Sequence, residues 1–177
     1  DDTLPNPDAL MVTGITPQKT VDEGYSEVQF ARILNDEIFT PDTIVVGFNN
    51  IRFDDEFIRH LLWRNFYDPY EWCWKDGRSR WDMLDVVRMT RALRPEGISW
   101  PLDDAGEPTN RLELITRENG IAHKNAHDAM SDVDALIDVT KLIRDKQPQL
   151  FEYLLKMRDK KEVVKLVNVD DKKPFVY

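Results

Sequence analysis

The amino-acid sequence predicts an α/β domain in which helices greatly outnumber strands. Residues 44–48 form an apolar run rich in β-branched side chains, which is typical of a buried strand. Apolar residues at helical spacing mark the flanking segments, most clearly residues 26–39, 81–93 and 127–144. One strong strand among about six helices is a poor balance for a free-standing α/β domain.

The segment before the strand is expected to begin as a loop and then to become helical. Residues 1–18 contain three prolines and a turn at Gly14, which favour irregular structure. Ser26 is a suitable N-cap, and the helix that it begins is expected to run to Phe39.

A further helix is expected to begin at Asp54 and Asp55, shortly after the strand. Its apolar face is expected to hold Phe57, Ile58, Leu61 and Leu62. Residues 66–80 follow as an aromatic, irregular stretch, and residues 81–93 are expected to form the next helix.

The last part of the chain is also expected to be mainly helical. Three helices are predicted there, over residues 111–119, 127–144 and 150–157. Gly120 ends the first of them, because glycine favours the left-handed conformation found after helices, and Pro148 separates the other two. Residues 163–167 are expected to form an edge strand.

The composition limits the classes of function. A net charge of −9 argues against a general coat on nucleic acid. No apolar run approaches the ~20 residues that a membrane span needs, and no secretory signal is visible at the start. A single cysteine, Cys73, cannot form an internal disulfide. These features favour a cytoplasmic protein without membrane association.

Cations and aromatic rings are interleaved over residues 59–94, in contrast to the acidic remainder of the chain. This stretch holds eight Lys and Arg residues against five acids, and four of the five tryptophans. Proteins grip single-stranded nucleic acid with cations that follow the phosphates and rings that stack on the bases. The stretch therefore predicts a single-strand track, although any one of its rings is as readily explained as part of the core.

Asp54 is a candidate metal ligand. It follows the carboxyl end of the predicted strand, where the ligand sites of α/β sheets lie. An aspartate at the start of a helix is equally well explained as an N-cap that accepts hydrogen bonds from backbone N–H groups. The sequence alone leaves both interpretations open.

His127 and Asp132 are further candidates, at the start of a later helix. Their separation corresponds to about 500° of rotation and about 7.5 Å of rise, so they are not expected to bind one ion together. The pair suits a general base beside a metal that Asp132 holds, and the alternative is a surface histidine and a solvated aspartate. Together with Asp54 they are expected to surround a divalent cation that assists phosphodiester hydrolysis.

Five strings of residues are specific enough to indicate a family. They are residues 10–17 (LMVTGITP), 47–56 (GFNNIRFDDE), 64–70 (RNFYDPY), 93–97 (LRPEG) and 125–130 (NAHDAM). They closely resemble the bacterial exonuclease I family, which belongs to the DEDD superfamily of 3′→5′ exonucleases, in the subgroup with histidine at its last motif. The resemblance runs over nearly all of the chain.

The resemblance implies a ribonuclease H-like exonuclease fold. It implies a 3′→5′ exodeoxyribonuclease that hydrolyses single-stranded DNA to nucleoside 5′-monophosphates with Mg²⁺, or with Mn²⁺, and that serves DNA repair and recombination. In this reading Asp54 and Asp132 are catalytic metal ligands and His127 is the general base.

The resemblance also implies two binding surfaces. Substrate-binding residues would be Arg59, Tyr70, Trp74, Arg88 and Arg111, the last of them near the cut. The family docks the acidic, Phe-ended tail of single-stranded-DNA-binding protein. For this tail Arg94 and Tyr153 are the candidate carboxylate clamp and apolar wall.

One part of the family's pattern is missing from the 177 residues. The family's first motif is an Asp-x-Glu on its first strand, and the only Asp-x-Glu here, residues 54–56, belongs to the second motif. We therefore expect residues 1–160 to be a partial exonuclease domain without its N-terminal strands, and residues 161–177 to lead toward a next domain. Such a piece is expected to be inactive and to self-associate through uncovered apolar faces.

Two alternatives stay open. The chain is either part of an enzyme or a non-catalytic module that binds single-stranded DNA or the partner's tail. An Asp-x-Glu encoded on an apolar strand before Asp1 would separate these. The other alternative is short RNA as the substrate, for which the aromatic and basic stretch over residues 59–94 is longer than a dinucleotide needs.

Overall fold

The computed structural model describes residues 5–121, 129–167 and 170–174. This part of the chain contains two parallel strands and nine α-helices. The strands are β1 (Ile44–Gly47) and β2 (Ser79–Asp82). They pair in parallel, from Ile44 beside Ser79 to Gly47 beside Asp82. The predicted helix-rich α/β architecture is therefore confirmed.

The helices account for most of the described residues. They are α1 (Pro7–Thr13), α2 (Pro17–Glu23), α3 (Glu27–Ile33), α4 (Asp54–Arg64), α5 (Met83–Leu93), α6 (Leu112–Glu118), α7 (Ala129–Lys146), α8 (Pro148–Met157) and α9 (Lys160–Leu166). The predicted N-cap Ser26 is confirmed, since its hydroxyl accepts a hydrogen bond from the Gln29 backbone N–H while the Gln29 side chain accepts one from the Ser26 backbone. None of the helices in the described ranges combines the length and hydropathy needed to cross a bilayer.

The segment β1–α4–β2 determines where a site can form. Parallel neighbours need a crossover connection, and α4 lies within that connection here. The carboxyl ends of both strands therefore meet at one edge of the sheet, which is where α/β proteins place their ligands. The β1–α4 loop and the residue Asp82 share this edge.

The main core lies beside β2, between α5, α6, α7 and α8. Trp81 of β2 meets the Phe151 ring edge-on, with the ring centroids 5.2 Å apart. Val87, Val139 and Ile143 are almost completely buried in the same cluster. A second, smaller cluster of Phe39, Leu62 and Trp72 packs near α4. The main cluster holds β2 and the smaller cluster holds α4. These two elements flank the ligand edge.

Some predicted elements are wrong. In the described part of residues 1–18 the chain forms α1 and α2, because Pro7 and Pro17 occupy first helical positions, where proline begins helices. Residues 79–82 form a strand because they pair with β1, whereas residues 79–80 are predicted to be irregular and residues 81–82 to begin a helix. Residues 163–167 lie largely within α9, which Asp159 caps, and do not form a strand.

The predicted apolar face of α4 is wrong at one position. Ile58, Leu61 and Leu62 pack in the smaller cluster, but the Phe57 residue is 63% exposed. Asp55 is buried on this helix instead, as an ion pair with Arg80. A polar contact thus replaces an apolar one at the helix start.

Candidate functional site

Asp54 lies in the first turn of α4, just beyond the carboxyl end of β1. The chain reaches it through a 3₁₀ turn at Asn50–Arg52, and Phe53 takes the N-cap position. Asp54 is therefore inside the helix and is not its cap. The residue is exposed, and its carboxylate forms no hydrogen bond or ion pair with any residue that the structure describes. It is available to a ligand.

Asp82 fixes the loop that leads to Asp54. Its buried carboxylate accepts hydrogen bonds from the backbone N–H groups of Asn49 at 2.7 Å, Ile51 at 3.3 Å and Leu84 at 3.0 Å. One side chain thus caps α5 and also holds the β1–α4 loop. This role is not visible in the sequence, because the partners of Asp82 in the loop lie more than 30 residues away.

Asn49 needs an unusual backbone conformation in this loop. It adopts φ of 63°, in the left-handed region that asparagine tolerates better than most residues. Gly47 is also required, since a Cβ atom there would lie 2.6 Å from the Cβ atom of Asn50. Gly47 and Asn49 before Asp54 therefore each have a structural reason.

A buried polar cluster lies behind the loop. Asp55 is only 1% exposed, forms an ion pair with Arg80, and accepts a hydrogen bond of 3.2 Å from the Asn50 side chain. These contacts join the start of α4 to β2. The adjacent residues Asp54 and Asp55 therefore have opposite environments, one open to solvent and the other paired inside the protein.

Asp132 lies in the first turn of α7 and is exposed. The helix packs against α5, α6 and α8. His127, the predicted general base, precedes α7 by two residues and lies outside the described residues.

The carboxylate oxygens of Asp54 and Asp132 are the ligand type that Mg²⁺ prefers. Within the described ranges, however, no three His, Cys, Asp or Glu side chains form a group that could hold a metal ion. The described residues alone therefore do not make a complete metal site.

Two of the predicted substrate-binding residues are in direct contact. The guanidinium carbon of Arg59 lies 5.2 Å from the centroid of the Tyr70 ring, within the range of a cation–π interaction. Arg59 also forms an ion pair with Glu56. The Tyr70 residue is exposed, so its ring is fixed and still accessible.

Two others line one cleft. Trp74, which is 64% exposed, and Arg88, which pairs with Asp85 at 3.0 Å, both border an open cleft of about 850 Å³. Arg111 lies elsewhere, directly before α6, and is exposed.

The tryptophans of residues 59–94 divide into two sets. Trp72 and Trp81 are core, while Trp63 and Trp74 are exposed.

The two predicted partner-binding residues lie on different parts of the fold. Arg94 follows the end of α5, is exposed, and donates a hydrogen bond of 2.6 Å to the Leu93 carbonyl. Tyr153 is half-buried on α8, where it packs against the main core. The Tyr153 ring therefore offers only part of its surface to a partner.

The chain is similar to known proteins in sequence and in fold. The sequence model of a family described as exonuclease matches residues 1–140. Over its 177 residues the chain is 54% identical to exodeoxyribonuclease I of Haemophilus influenzae. The alignment covers 100% of this chain and 37% of that relative. The chain thus spans well under half of the length of this relative.

Solved structures show the same fold. Exonuclease I of E. coli in complex with a dA16 oligonucleotide superposes with a TM-score of 0.92 at 50% identity, over 97% of this chain and 37% of that one. An ExoI/SSB-Ct complex superposes with a TM-score of 0.88 at 49% identity, over 95% of this chain and 36% of that one. These matches confirm the ribonuclease H-like exonuclease fold. Because the family model covers well over half of the residues, the chain belongs to the exonuclease family.

Proposed function

We propose that the protein containing this chain is a 3′→5′ exodeoxyribonuclease that hydrolyses single-stranded DNA to nucleoside 5′-monophosphates. The observation that carries this proposal is the contrast at the start of α4. The Asp54 carboxylate is exposed and unpaired among the described residues, on a loop that Asp82 fixes, while its neighbour Asp55 is buried in an ion pair. Membership of the exonuclease family supports the reaction class.

In the proposed reaction, Asp54 and Asp132 supply carboxylate ligands for Mg²⁺, or for Mn²⁺. Such a metal stabilises charge on phosphate oxygens and lowers the pKa of water. Further ligands must come from outside the described residues, since these contain no group of three that could hold the ion.

His127 is the proposed general base. Its imidazole takes a proton from the water that attacks the terminal phosphorus. The bond between this phosphorus and the 3′ oxygen of the preceding nucleotide breaks. That oxygen takes up a proton from solvent and becomes the new 3′ hydroxyl, and the terminal nucleotide leaves with its 5′ phosphate. We propose Arg111 as the cation that contacts a phosphate near the cut.

The substrate strand would follow Tyr70, Arg59, Trp74 and Arg88. The support is that Tyr70 and Trp74 present exposed rings beside cations, and that a homologous structure contains a dA16 oligonucleotide.

We also propose that the reaction serves DNA repair in the cytoplasm. Residues 1–160 would belong to the exonuclease domain, and residues 161–177 would lead to a further domain.

We further propose the acidic tail of single-stranded-DNA-binding protein as a partner. The support is a homologous ExoI/SSB-Ct complex, together with the exposed cation Arg94. Arg94 would pair with the terminal carboxylate and Tyr153 would provide an apolar wall. Loss of tail binding in Arg94→Ala, with DNA hydrolysis unchanged, is the expected result in a titration with a labelled tail peptide.

The test of the proposed function uses the full-length gene product that contains this sequence. A single-stranded DNA with a 5′ fluorophore should shorten from its 3′ end in the presence of Mg²⁺, and chromatography should identify nucleoside 5′-monophosphates. Phosphorothioate linkages at the 3′ end should block the reaction, whereas the same linkages at the 5′ end should not.

Two variants and one alternative substrate sharpen this test. His127→Ala and Asp132→Asn should lower the rate by about 10²-fold or more, since each removes a group that acts in the transition state. A matched RNA strand should be cleaved far more slowly than the DNA. Equal rates for wild type and His127→Ala, or faster cleavage of RNA, would contradict the proposal.

A further inference from the structure

A long loop connects α5 to α6 and ends at Arg111, the residue proposed above to contact a phosphate near the cut. Residues 94–111 lie within the described range and contain neither a helix nor a strand, apart from one antiparallel bridge between Leu102 and Pro108. Loops of this length without regular structure are uncommon in compact domains. Local structure does not fix the far end of such a loop, so contacts with other elements must hold it.

Arg91 makes such contacts with the far end of the loop. It lies in the last turn of α5 and is half-buried. Its Nη1 atom donates hydrogen bonds to the Thr109 carbonyl oxygen at 2.6 Å and to Oδ1 of Asn110 at 3.2 Å. Thr109 and Asn110 directly precede Arg111, so this guanidinium group joins the end of the loop to α5.

The same guanidinium group also holds the middle of the loop. Its Nη2 atom donates a hydrogen bond of 3.2 Å to the Pro101 carbonyl oxygen, which also accepts one of 3.3 Å from the Thr109 backbone N–H. The guanidinium carbon lies 5.7 Å from the centroid of the Trp100 ring, within the range of a cation–π interaction. The Trp100 indole N–H in turn donates a hydrogen bond of 2.8 Å to the Pro95 carbonyl oxygen. Arg91 is therefore at the centre of contacts that span the whole loop.

The chemistry of these contacts suits an arginine that sets geometry. Arg91 donates to two backbone carbonyls and to one side-chain amide, and it forms no ion pair with any carboxylate that the structure describes. A guanidinium group presents five N–H donors in a planar fork, whereas a lysine ammonium group is a compact charge on a flexible stem. The planar fork allows one side chain to hold two separate parts of the loop.

The backbone of Arg111 is held from both sides. As the N-cap of α6, its carbonyl oxygen accepts hydrogen bonds from the backbone N–H groups of Leu114 at 3.1 Å and Ile115 at 3.0 Å. Its own backbone N–H donates a hydrogen bond of 3.4 Å to the Thr109 hydroxyl. The residue is exposed, so α6 and the part of the loop that Arg91 holds together set where this cation meets solvent.

We propose that Arg91 is a positioning residue for the reaction. By joining the middle and the end of the loop to α5, it places Arg111 for its contact with the phosphate near the cut. The inference rests on the proposed function, since it deepens the role given there to Arg111. A misplacement of about 1 Å in a group that meets the substrate can cost about 10²-fold in rate, even when the mutated residue is remote.

The test is a double-mutant cycle in the full-length gene product, with kcat/KM for hydrolysis of single-stranded DNA as the readout. Arg111→Gln and Arg91→Gln should each lower kcat/KM by about tenfold or more. The double variant should be no slower than Arg111→Gln alone, because Arg91 acts only through Arg111 and coupled residues are not additive. A purely structural role would instead multiply the two effects.

The control is Arg117→Gln, which removes an exposed arginine from α6 that pairs with Glu118. It should leave kcat/KM unchanged, both alone and in the Arg111→Gln protein. Arg91→Lys keeps the charge but not the planar fork, so it should also lower kcat/KM. It repeats the cycle if Arg91→Gln does not fold, and urea unfolding measures the stability of every variant.

The outcomes separate this inference from the proposed function. Effects of Arg91→Gln and Arg111→Gln that multiply in the double variant would overturn the inference, and so would wild-type kcat/KM in a folded Arg91→Lys protein. A wild-type rate for Arg111→Gln would leave Arg91 with no group to position and would also overturn it. In each of these cases the wild type still degrades DNA. If the wild type releases no mononucleotides, the proposed function itself fails, and the inference fails with it.

Discussion

The buried carboxylate of Asp82 accepts a hydrogen bond of 2.7 Å from the backbone N–H of Asn49, which precedes it by 33 residues. This contact joins the end of β2 to the loop after β1. No local sequence pattern predicts this hydrogen bond. It nevertheless fixes the position of the loop that leads to α4 and to Asp54 at the start of that helix. The candidate active-site carboxylate thus depends on a second, buried one.

Asp82→Asn tests this dependence. An amide can accept through one oxygen but brings an N–H group toward backbone donors, so at least one buried N–H loses its acceptor. The expected loss of stability is about 1–3 kcal/mol, measured by urea unfolding of the chain. In the full-length protein the rate of DNA hydrolysis should also fall. Asp145→Asn, at an exposed surface pair, is the control, and equal stability of the two variants would contradict the role of Asp82.

Trp72 and Trp74 are expected to respond in opposite ways. Trp74 is exposed, so Trp74→Ala should leave stability unchanged and weaken binding of single-stranded DNA by about 1–3 kcal/mol. Trp72 packs on Phe39 with ring centroids 5.1 Å apart, so Trp72→Ala should lower the free energy of unfolding by about 3–5 kcal/mol. Fluorescence anisotropy and urea unfolding measure the two effects. A Trp74→Ala protein that binds DNA like the wild type would argue against the proposed track.

The ion pair between Glu27 and Arg64 gives a pH-dependent prediction. Hydrogen bonds from the Arg64 side chain, at 3.0 and 2.7 Å, hold the pKa of Glu27 below its ordinary value of 4.5. The stabilisation is therefore complete above that ordinary value and is lost as the pH falls through the lower pKa of the folded state.

Thermal unfolding of wild type and Glu27→Gln measures this contribution. The wild type should have a slightly higher Tm near neutral pH, and the difference should shrink as the solution is acidified to about pH 3. The effect is small because each of the two side chains is more than a third exposed to solvent. A difference in Tm that stays constant with pH would show that the charge of Glu27 is not its source.

The 177-residue chain by itself is expected to be inactive and to self-associate. Its described residues contain no group of three metal-ligating side chains, and among them β1 pairs only with β2, which leaves its other edge open. Unpaired edges and exposed apolar residues such as Val46 promote association. Light scattering and a mononucleotide assay test both points. A monodisperse monomer, or Mg²⁺-dependent release that His127→Ala leaves unchanged, would contradict the expectation.

The sequence could predict elements whose signals are local. The apolar run of β1, the cap at Ser26 and the start of α4 at Asp54 are all confirmed. It could not predict β2, because residues 79–82 have only Trp81 as a large apolar side chain and become a strand through pairing with β1. The prolines before residue 18 do not distinguish a loop from a helix, since proline favours both loops and first helical turns.

The candidate site shows the same division. The sequence marked Asp54 by its position after a strand, but Asp54 and Asp55 look alike in a sequence and differ only through burial. The partner that distinguishes Asp55 is Arg80, which is 25 residues away. Lys160 and Lys161 line the cleft beside β2 because the start of α9 lies near β2. The periodicity of the sequence does not predict this long-range proximity.

The most direct test of the proposed site compares Asp54→Asn with Asp55→Asn in the full-length gene product. Asp54→Asn should lower DNA hydrolysis by about 10²-fold or more while the free energy of unfolding stays at the wild-type value. Asp55→Asn breaks a largely buried ion pair and should lower that free energy by about 3 kcal/mol. Full hydrolytic activity in a folded Asp54→Asn protein would contradict the proposal that this exposed carboxylate is catalytic.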